Sequence, residues 1–159
     1  MAVASGSRNN FLFSFLTIGT IIFCDRLTKI FFTQILDLGE SIPVIKNIFH
    51  FTLVYNTGIA FGLFKNQGII FIALPVIVSS LLIYNVYLCR HDMKVDRLTV
   101  VALAMILAGA IGNLADRLMY GHVIDFIDFR VWPVFNVADS AITVGTSILL
   151  IKCIPSLAK

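Results

Sequence analysis

The sequence predicts an all-α membrane protein with four transmembrane helices and a small extracytoplasmic β-structure. Hydrophobic residues make up 58% of the chain and charged residues only 13%, whereas ordinary soluble domains have about half and about a quarter. Four apolar segments approach the ~20 residues that a helix needs to cross a bilayer. We therefore expect residues 1–159 to form one integral membrane domain, and the composition excludes a soluble enzyme.

The four predicted spans cover residues 11–36, 68–88, 98–120 and 137–154. The second span contains no charged residue, and the third has charges only at its far end. The first resembles a secretory signal, but it is too long for one, and Asp25, Arg26 and Lys29 interrupt it without a small-residue cleavage site. It is predicted to remain part of the protein.

Lysine and arginine placement predicts the orientation of these spans. The basic residues concentrate at both ends of the chain and in the loop between the second and third spans. Because such an excess marks the cytoplasmic side, both termini are predicted to be cytoplasmic and the other two loops to face outward. The net charge of +3 is small, and no basic stripe suggests binding to nucleic acid.

Residues 41–64 do not read as a span but as the extracytoplasmic β-region. Residues 48–55 are rich in aromatic and β-branched side chains, which favour a strand, and residues 56–58 read as a turn. A second strand is predicted at residues 123–130. The segment 61–65, between this region and the second span, is a candidate lid.

Several aspartates border the third and fourth spans, where a charged group costs several kcal/mol. Asp116 shares a helical face with Asn113 and suits a structural ion pair. Asp125 and Asp128 lie three apart in a predicted strand, so at most one of them faces a site. Asp139 lies three residues after Asn136, which also fits a helix capping box. Spacing alone leaves these alternatives open.

Two of these carboxyl groups held close together could perform acid–base chemistry. Like charges at short range cannot both ionise, so one group keeps a proton. The ionised partner can then act as a general base on water, while the protonated partner polarises a peptide carbonyl and later protonates the leaving amine. This chemistry requires no metal and no cofactor.

Other polar residues have simpler predicted roles. Asp25 and Lys29 are spaced i to i+4, in the favourable order for a structural ion pair. The three cysteines are an odd number without a CxxC motif, so a disulfide framework is not expected. The three histidines lie far apart and no HExxH motif occurs, so a zinc site is not expected either.

Five motifs follow one another along nearly the whole chain. They are Asp25-Arg26-Leu27-Thr28-Lys29, Tyr55-Asn56-Thr57-Gly58-Ile59-Ala60-Phe61-Gly62, Gly109-Ala110-Ile111-Gly112-Asn113-Leu114-Ala115-Asp116-Arg117, Gly121-His122-Val123-Ile124-Asp125-Phe126-Ile127-Asp128-Phe129 and Trp132-Pro133-Val134-Phe135-Asn136-Val137-Ala138-Asp139. In these motifs and their order, the chain resembles the lipoprotein signal peptidase (signal peptidase II) family.

The resemblance implies an aspartic endopeptidase of the bacterial cytoplasmic membrane, with its active site near the periplasmic face and a periplasmic β-cradle. It implies removal of the signal peptide of a prolipoprotein on the N-terminal side of a diacylglyceryl-modified cysteine. The expected partners are these prolipoproteins, membrane lipids and inhibitors of the globomycin type, with no nucleic acid, and the protein is expected to be a monomer.

The resemblance also implies roles for individual residues. The catalytic dyad falls on Asp125 and Asp139. Asp25, Lys29 and Asp116 match structural polar positions, and Asp128 becomes a supporting residue. The positions that hold the substrate backbone or orient the dyad are Asn56, Gly58, Asn113, Arg117 and Asn136.

Two other classes of protein also place acids in a membrane. A proton-coupled carrier would do so, but inverted repeats and broken helices are not evident, and four spans are few for transport. A non-catalytic assembly protein would be favoured if the acids proved replaceable.

Overall fold

The computed structural model describes residues 3–58, 77, 80, 81, 84 and 96–157. Its elements are the helix α1 (Val3–Ile35), the strands β1 (Ser41–Ile45) and β2 (Phe49–Asn56), the helix α2 (Arg97–Tyr120), the strand β3 (Val123–Asp128) and the helix α3 (Val137–Leu157). The predicted second span, the candidate lid at 61–65 and the end of the predicted β-region lie outside the described residues, apart from the four isolated helical positions.

The continuous segments that the structure describes, 3–58 and 96–157, therefore contain three helices and a small sheet. Within the described part of the chain, α2 has the length and mean hydropathy, 2.1, of a helix that could cross a membrane. Predicted boundaries of the third and fourth spans agree with α2 and α3 to within a few residues, but α1 begins eight positions before the predicted first span. The number of spans remains a prediction.

The sheet contains one strand more than the sequence singled out. Its order is β1-β2-β3 with antiparallel pairing throughout. The residues of β1 are all exposed, so they lack the in–out alternation by which a half-buried strand is detected. An irregularity between Phe51 and Val54 shifts the register of β2 against β3.

The C-terminal end of α1 packs against this sheet. Phe32 and Leu36 form a buried cluster with Leu53, Ile124 and Phe126. The Phe32 and Phe126 rings stack with their centroids 4.3 Å apart. These contacts fix β3, and with it Asp125, relative to the helices.

Helices α2 and α3 approach each other closely because glycines line their contact. A Cβ atom on Gly109 would lie 2.3 Å from the carbonyl oxygen of Ala138, and one on Gly145 would lie 2.6 Å from that of Ala102. Such distances leave no room for a side chain. The first turn of α3 is thus held directly against the middle of α2.

Helix α2 ends at Tyr120 and is capped by Gly121, whose φ of 75° is left-handed and whose N–H donates to the carbonyl of Arg117. Glycine adopts this conformation without steric cost. The turn sends the chain directly into β3, because Val123 follows two residues later. The end of α2 and the beginning of β3 therefore meet beside the first turn of α3.

Candidate active site

Asp139 lies in the first turn of α3, where it forms a capping box with Asn136. The side-chain oxygen of Asn136 accepts from the N–H of Asp139 at 2.8 Å, and Asp139 Oδ2 accepts from the N–H of Asn136 at 3.3 Å. The predicted capping box is therefore present. The capping box does not exclude a chemical role for Asp139, because it holds the Asp139 carboxylate beside Asn136.

Asp125 lies in the middle of β3 and is only 1% exposed. Asn136 Nδ2 donates to Asp125 Oδ1 at 2.6 Å, and Asn56 Nδ2 donates to Asp125 Oδ2 at 3.0 Å. Asn136 thus donates to both carboxylates. Its side-chain amide donates to Asp125, and its backbone N–H donates to Asp139. Asp125 and Asp139 therefore share Asn136 as a hydrogen-bond partner.

The Asn56 amide is itself oriented by the turn that follows β2. Its oxygen accepts from the N–H of Gly58 at 2.9 Å, so its nitrogen is directed at Asp125. Gly58 is buried beside it. The predicted turn at 56–58 therefore serves to orient one donor to the carboxylate.

Burial raises the pKa of Asp125 to about 7, and the negative charge of Asp139 adds to this effect. The hydrogen bonds from Asn56 and Asn136 act in the opposite direction, as does the charge of Lys29. A carboxyl group with such a pKa is partly protonated near neutral pH. This suits one member of a pair that shares a proton.

Asn113 connects Asp139 to a second cluster of buried charges. Its amide nitrogen donates to Asp139 Oδ1 at 2.7 Å. Its amide oxygen accepts from Lys29 Nζ and from Asn136 Nδ2, both at 3.1 Å. The amide therefore lies between the carboxyl pair and α1.

Lys29 is completely buried and forms two ion pairs. Its ammonium lies 2.8 Å from Asp25 Oδ2 and 2.8 Å from Asp116 Oδ2. Asp25 also accepts from the N–H of Ala138 at 2.9 Å. The predicted Asp25–Lys29 ion pair is present, and it ties α1 to both other helices.

Arg26 also belongs to this cluster, although its sequence position predicts no role for it. It donates to Asp116 Oδ1 at 3.1 Å and also to the hydroxyl of Tyr120. Asp116 Oδ2 in turn accepts from the N–H of Ile124 at 3.2 Å. The sequence shows only an acid followed by two bases at positions 25, 26 and 29, which does not identify the partners.

Asp128 faces away from the carboxyl pair, as expected for its spacing from Asp125. It accepts from Thr52 Oγ1 at 2.7 Å and from Arg130 Nη1 at 3.0 Å. Burial alone raises the pKa of Asp128, but these hydrogen bonds outweigh it and hold the pKa below its usual value. Asp128 therefore braces the sheet rather than joining the site.

Arg117, the remaining candidate, is half-buried beside the pair. Its Nη1 donates to the backbone oxygen of Asn113 at 3.1 Å. Its charge interacts with Asp139, Asp125 and Asp116. Apart from Asp128, the residues named from the sequence thus lie in one connected region around the start of α3.

Comparison with known proteins identifies the family. The model of the family described as signal peptidase (SPase) II matches residues 17–155 of this chain. The chain belongs to the signal peptidase II family. Membership of the family implies a peptidase.

Relatives and solved structures agree with this assignment. The lipoprotein signal peptidase of Halothermothrix orenii is 40% identical over 131 residues, covering 82% of this chain and 88% of its own. That of Caldanaerobacter subterraneus is 47% identical over 130 residues, covering 81% and 87%.

A solved structure of a bacterial membrane enzyme superposes with a TM-score of 0.82 at 29% identity, covering 91% of this chain and 88% of that one. This signal peptidase II is therefore membrane-bound.

Proposed function

We propose that this signal peptidase II is an aspartic endopeptidase that cuts prolipoproteins on the N-terminal side of the diacylglyceryl-modified cysteine. Asp125 and Asp139 are its catalytic dyad. The observation that carries this proposal is the position of Asn136, which donates to Asp125 through its side chain and to Asp139 through its backbone. One residue thereby fixes the spacing of both carboxyl groups.

The environments of the two carboxyl groups support different roles for them. Asp125 is the more deeply buried, and its pKa of about 7 suits the group that holds the proton. Asp139 lies at the N-terminus of α3, where the helix dipole favours a negative charge, and it accepts from Asn113 and Asn136. Asp139 is therefore the general base and Asp125 the acid.

The reaction then balances without a metal. Asp139 takes a proton from water, and the water oxygen bonds to the scissile carbonyl carbon while Asp125 donates a hydrogen bond to the carbonyl oxygen. As the C–N bond breaks, the proton of Asp125 passes to the leaving nitrogen. The proton left on Asp139 then returns the pair to its starting state by moving to Asp125.

The depth of the site supports a lipid-linked substrate. Asn113 lies sixteen residues after Arg97, the first residue of α2, which is about 24 Å along a helix. The hydrocarbon core of a bilayer is about 30 Å thick. With both termini in the cytoplasm, as the distribution of basic residues predicts, the dyad lies near the periplasmic face, within reach of a cysteine whose acyl chains remain in the outer leaflet.

Cleavage by the purified protein in liposomes tests this function. A prolipoprotein with a diacylglyceryl-modified cysteine is compared with the same chain carrying an unmodified cysteine. Mass spectrometry should find a product that begins at the modified cysteine, and globomycin should prevent its formation. Equal cleavage of both substrates would contradict the proposed specificity, and proton flux without cleavage would favour a carrier.

A further inference from the structure

Lys29 is the most deeply buried cation among the described residues, yet the dyad mechanism above does not use it. Its side chain is 0% exposed, and it contacts Asp25, Asp116 and Asn113. The first two contacts are ion pairs that could be purely structural. The third is different, because Asn113 is the donor to Asp139.

The contact with Lys29 settles which way the Asn113 amide points. An ammonium group only donates hydrogen bonds, so the amide must turn its oxygen towards Lys29. Asn136 Nδ2 also donates to that oxygen. The amide nitrogen is then left to face Asp139 Oδ1, at 2.7 Å. Without Lys29, one of the two donors that hold the amide in this orientation is lost.

The charges around the dyad also balance only in one protonation state. The described cations that face it or its supporting cluster are Lys29 and Arg26 on α1 and Arg117 on α2. The anions are Asp25 on α1, Asp116 on α2 and the dyad itself. Three cations therefore match three anions when the dyad carries a single negative charge, that is, one shared proton. At low dielectric, such a balance is strongly favoured.

We propose that Lys29 is a positioning residue of the active site, which orients the Asn113 amide towards Asp139 and sets the dyad to hold one proton. By orienting the Asn113 amide, Lys29 sets the geometry around Asp139. Through its buried charge, Lys29 sets the protonation of the dyad. The charge of Lys29 lowers the pKa of Asp125, against the effects of burial and of Asp139. This inference rests on the proposed dyad, but its charge component can be measured without catalysis.

Two single substitutions should shift the protonation of the dyad in opposite directions. The two limbs of the dyad titration are the pH ranges in which the dyad loses its first and its second proton. Lys29→Met removes a positive charge, so both limbs should move up by about one pH unit. Asp25→Asn removes a negative charge and retains an oxygen for the Ala138 N–H, so both limbs should move down. In the double variant the charges balance again, and the limbs should return to the wild-type positions.

The double variant also isolates the geometric role of Lys29. Since Asn113 is no longer held by an ammonium group, kcat should stay about tenfold or more below wild type while the pH limbs are restored. Wild-type kcat in the double variant would overturn the orienting role.

The titration is read in two ways on the full-length protein in detergent micelles. Infrared spectroscopy follows the C=O stretch of protonated carboxyl groups, with Asp125→Asn subtracted to isolate the dyad, and the pH profile of prolipoprotein cleavage follows the active fraction. Unchanged limbs in both single variants would overturn the charge role. Should Lys29→Met fail to fold, the shift in Asp25→Asn decides the question alone.

The two readouts separate this inference from the proposed function. If the wild type does not cleave prolipoprotein but the infrared limbs shift in opposite directions, the proposed function fails and the role of Lys29 stands. If cleavage occurs and the limbs do not move, the proposed function stands and the charge role of Lys29 fails.

Discussion

Asp125→Asn should stabilise the folded protein at neutral pH while abolishing its proposed activity. The wild-type carboxyl group has its pKa raised from 3.8 to about 7, first by burial and then by the charge of Asp139. An acid with a raised pKa binds its proton more tightly in the folded state. Its contribution to stability is therefore complete below about pH 4 and is lost as pH rises through about 7. Asparagine does not titrate, so the variant should not show this loss.

The pKa difference sets an upper limit on the effect. Raising the pKa from 3.8 to about 7 corresponds to about 4 kcal/mol, at about 1.36 kcal/mol per pH unit. In the variant, a lost hydrogen bond offsets part of this gain in stability. The amide nitrogen of the asparagine would face the Nδ2 donor of Asn56 or Asn136, and the hydrogen bond lost there contributes about 1 kcal/mol. The net gain at pH 8 is then about 3 kcal/mol, and at pH 4 the variant is about 1 kcal/mol less stable.

Thermal unfolding in detergent micelles, followed by circular dichroism from pH 4 to 8, measures this difference. At about 2–4 °C per kcal/mol for a chain of this size, the variant should have a Tm about 6–12 °C above wild type at pH 8 and slightly below it at pH 4. Asp37→Asn, the same change at an exposed position, should show no such dependence. A constant difference between Asp125→Asn and wild type across this pH range would refute the reasoning.

Two further substitutions test the supporting structure. Gly109→Ala places a Cβ 2.3 Å from the carbonyl oxygen of Ala138, so it should lower the free energy of unfolding by about 3 kcal/mol and reduce cleavage. The control Gly19→Ala meets open space and should be neutral or slightly stabilising. Equal Tm values for the two variants would contradict the close helix contact. Asp128→Asn weakens the charge-assisted bonds from Thr52 and should lower Tm at pH 7. Because the pKa of Asp128 is depressed, the stability that its charge contributes is complete above about pH 4 and is lost as pH falls through that depressed pKa. The deficit should therefore shrink in acid, and a deficit that stays constant as pH falls would show that the charge is not its source.

Local signals in the sequence predicted the elements that carry the site. Helices α2 and α3 lie at the positions of the third and fourth predicted spans, with α3 beginning at the predicted Val137. The strands β2 and β3 match their aromatic and β-branched composition. The capping box between Asn136 and Asp139 and the ion pair between Asp25 and Lys29 are also local, since each joins residues within one helical turn. Such features follow from spacing alone.

Contacts between distant segments could not be predicted in this way. Lys29 and Asn113 lie 84 positions apart, and only the packing of α1 against α2 brings them together. The choice between Asp125 and Asp128 depended on which of the two carboxyl groups contacts Asn136 at the start of α3, and that group is Asp125. Spacing left that choice open, and the family resemblance supplied the assignment that the hydrogen bonds of Asn136 now support.

The exposed strand β1 shows a different limit. Its side chains are exposed along its whole length, so no alternation marks it as part of a sheet. It is a strand because β2 offers it backbone partners, from Ser41 opposite Thr52 to Ile45 opposite Phe49. Tertiary context, rather than local preference, decides its structure.

The most direct test of the dyad is cleavage of a diacylglyceryl-modified prolipoprotein by Asp125→Asn and Asp139→Asn, each checked for folding by circular dichroism and compared with wild type and Asp37→Asn. Asparagine keeps the shape of each side chain but cannot exchange a proton. Loss of cleavage in both folded dyad variants, with full activity in Asp37→Asn, is the expected result. Near-wild-type cleavage by either dyad variant would contradict the assignment of that aspartate.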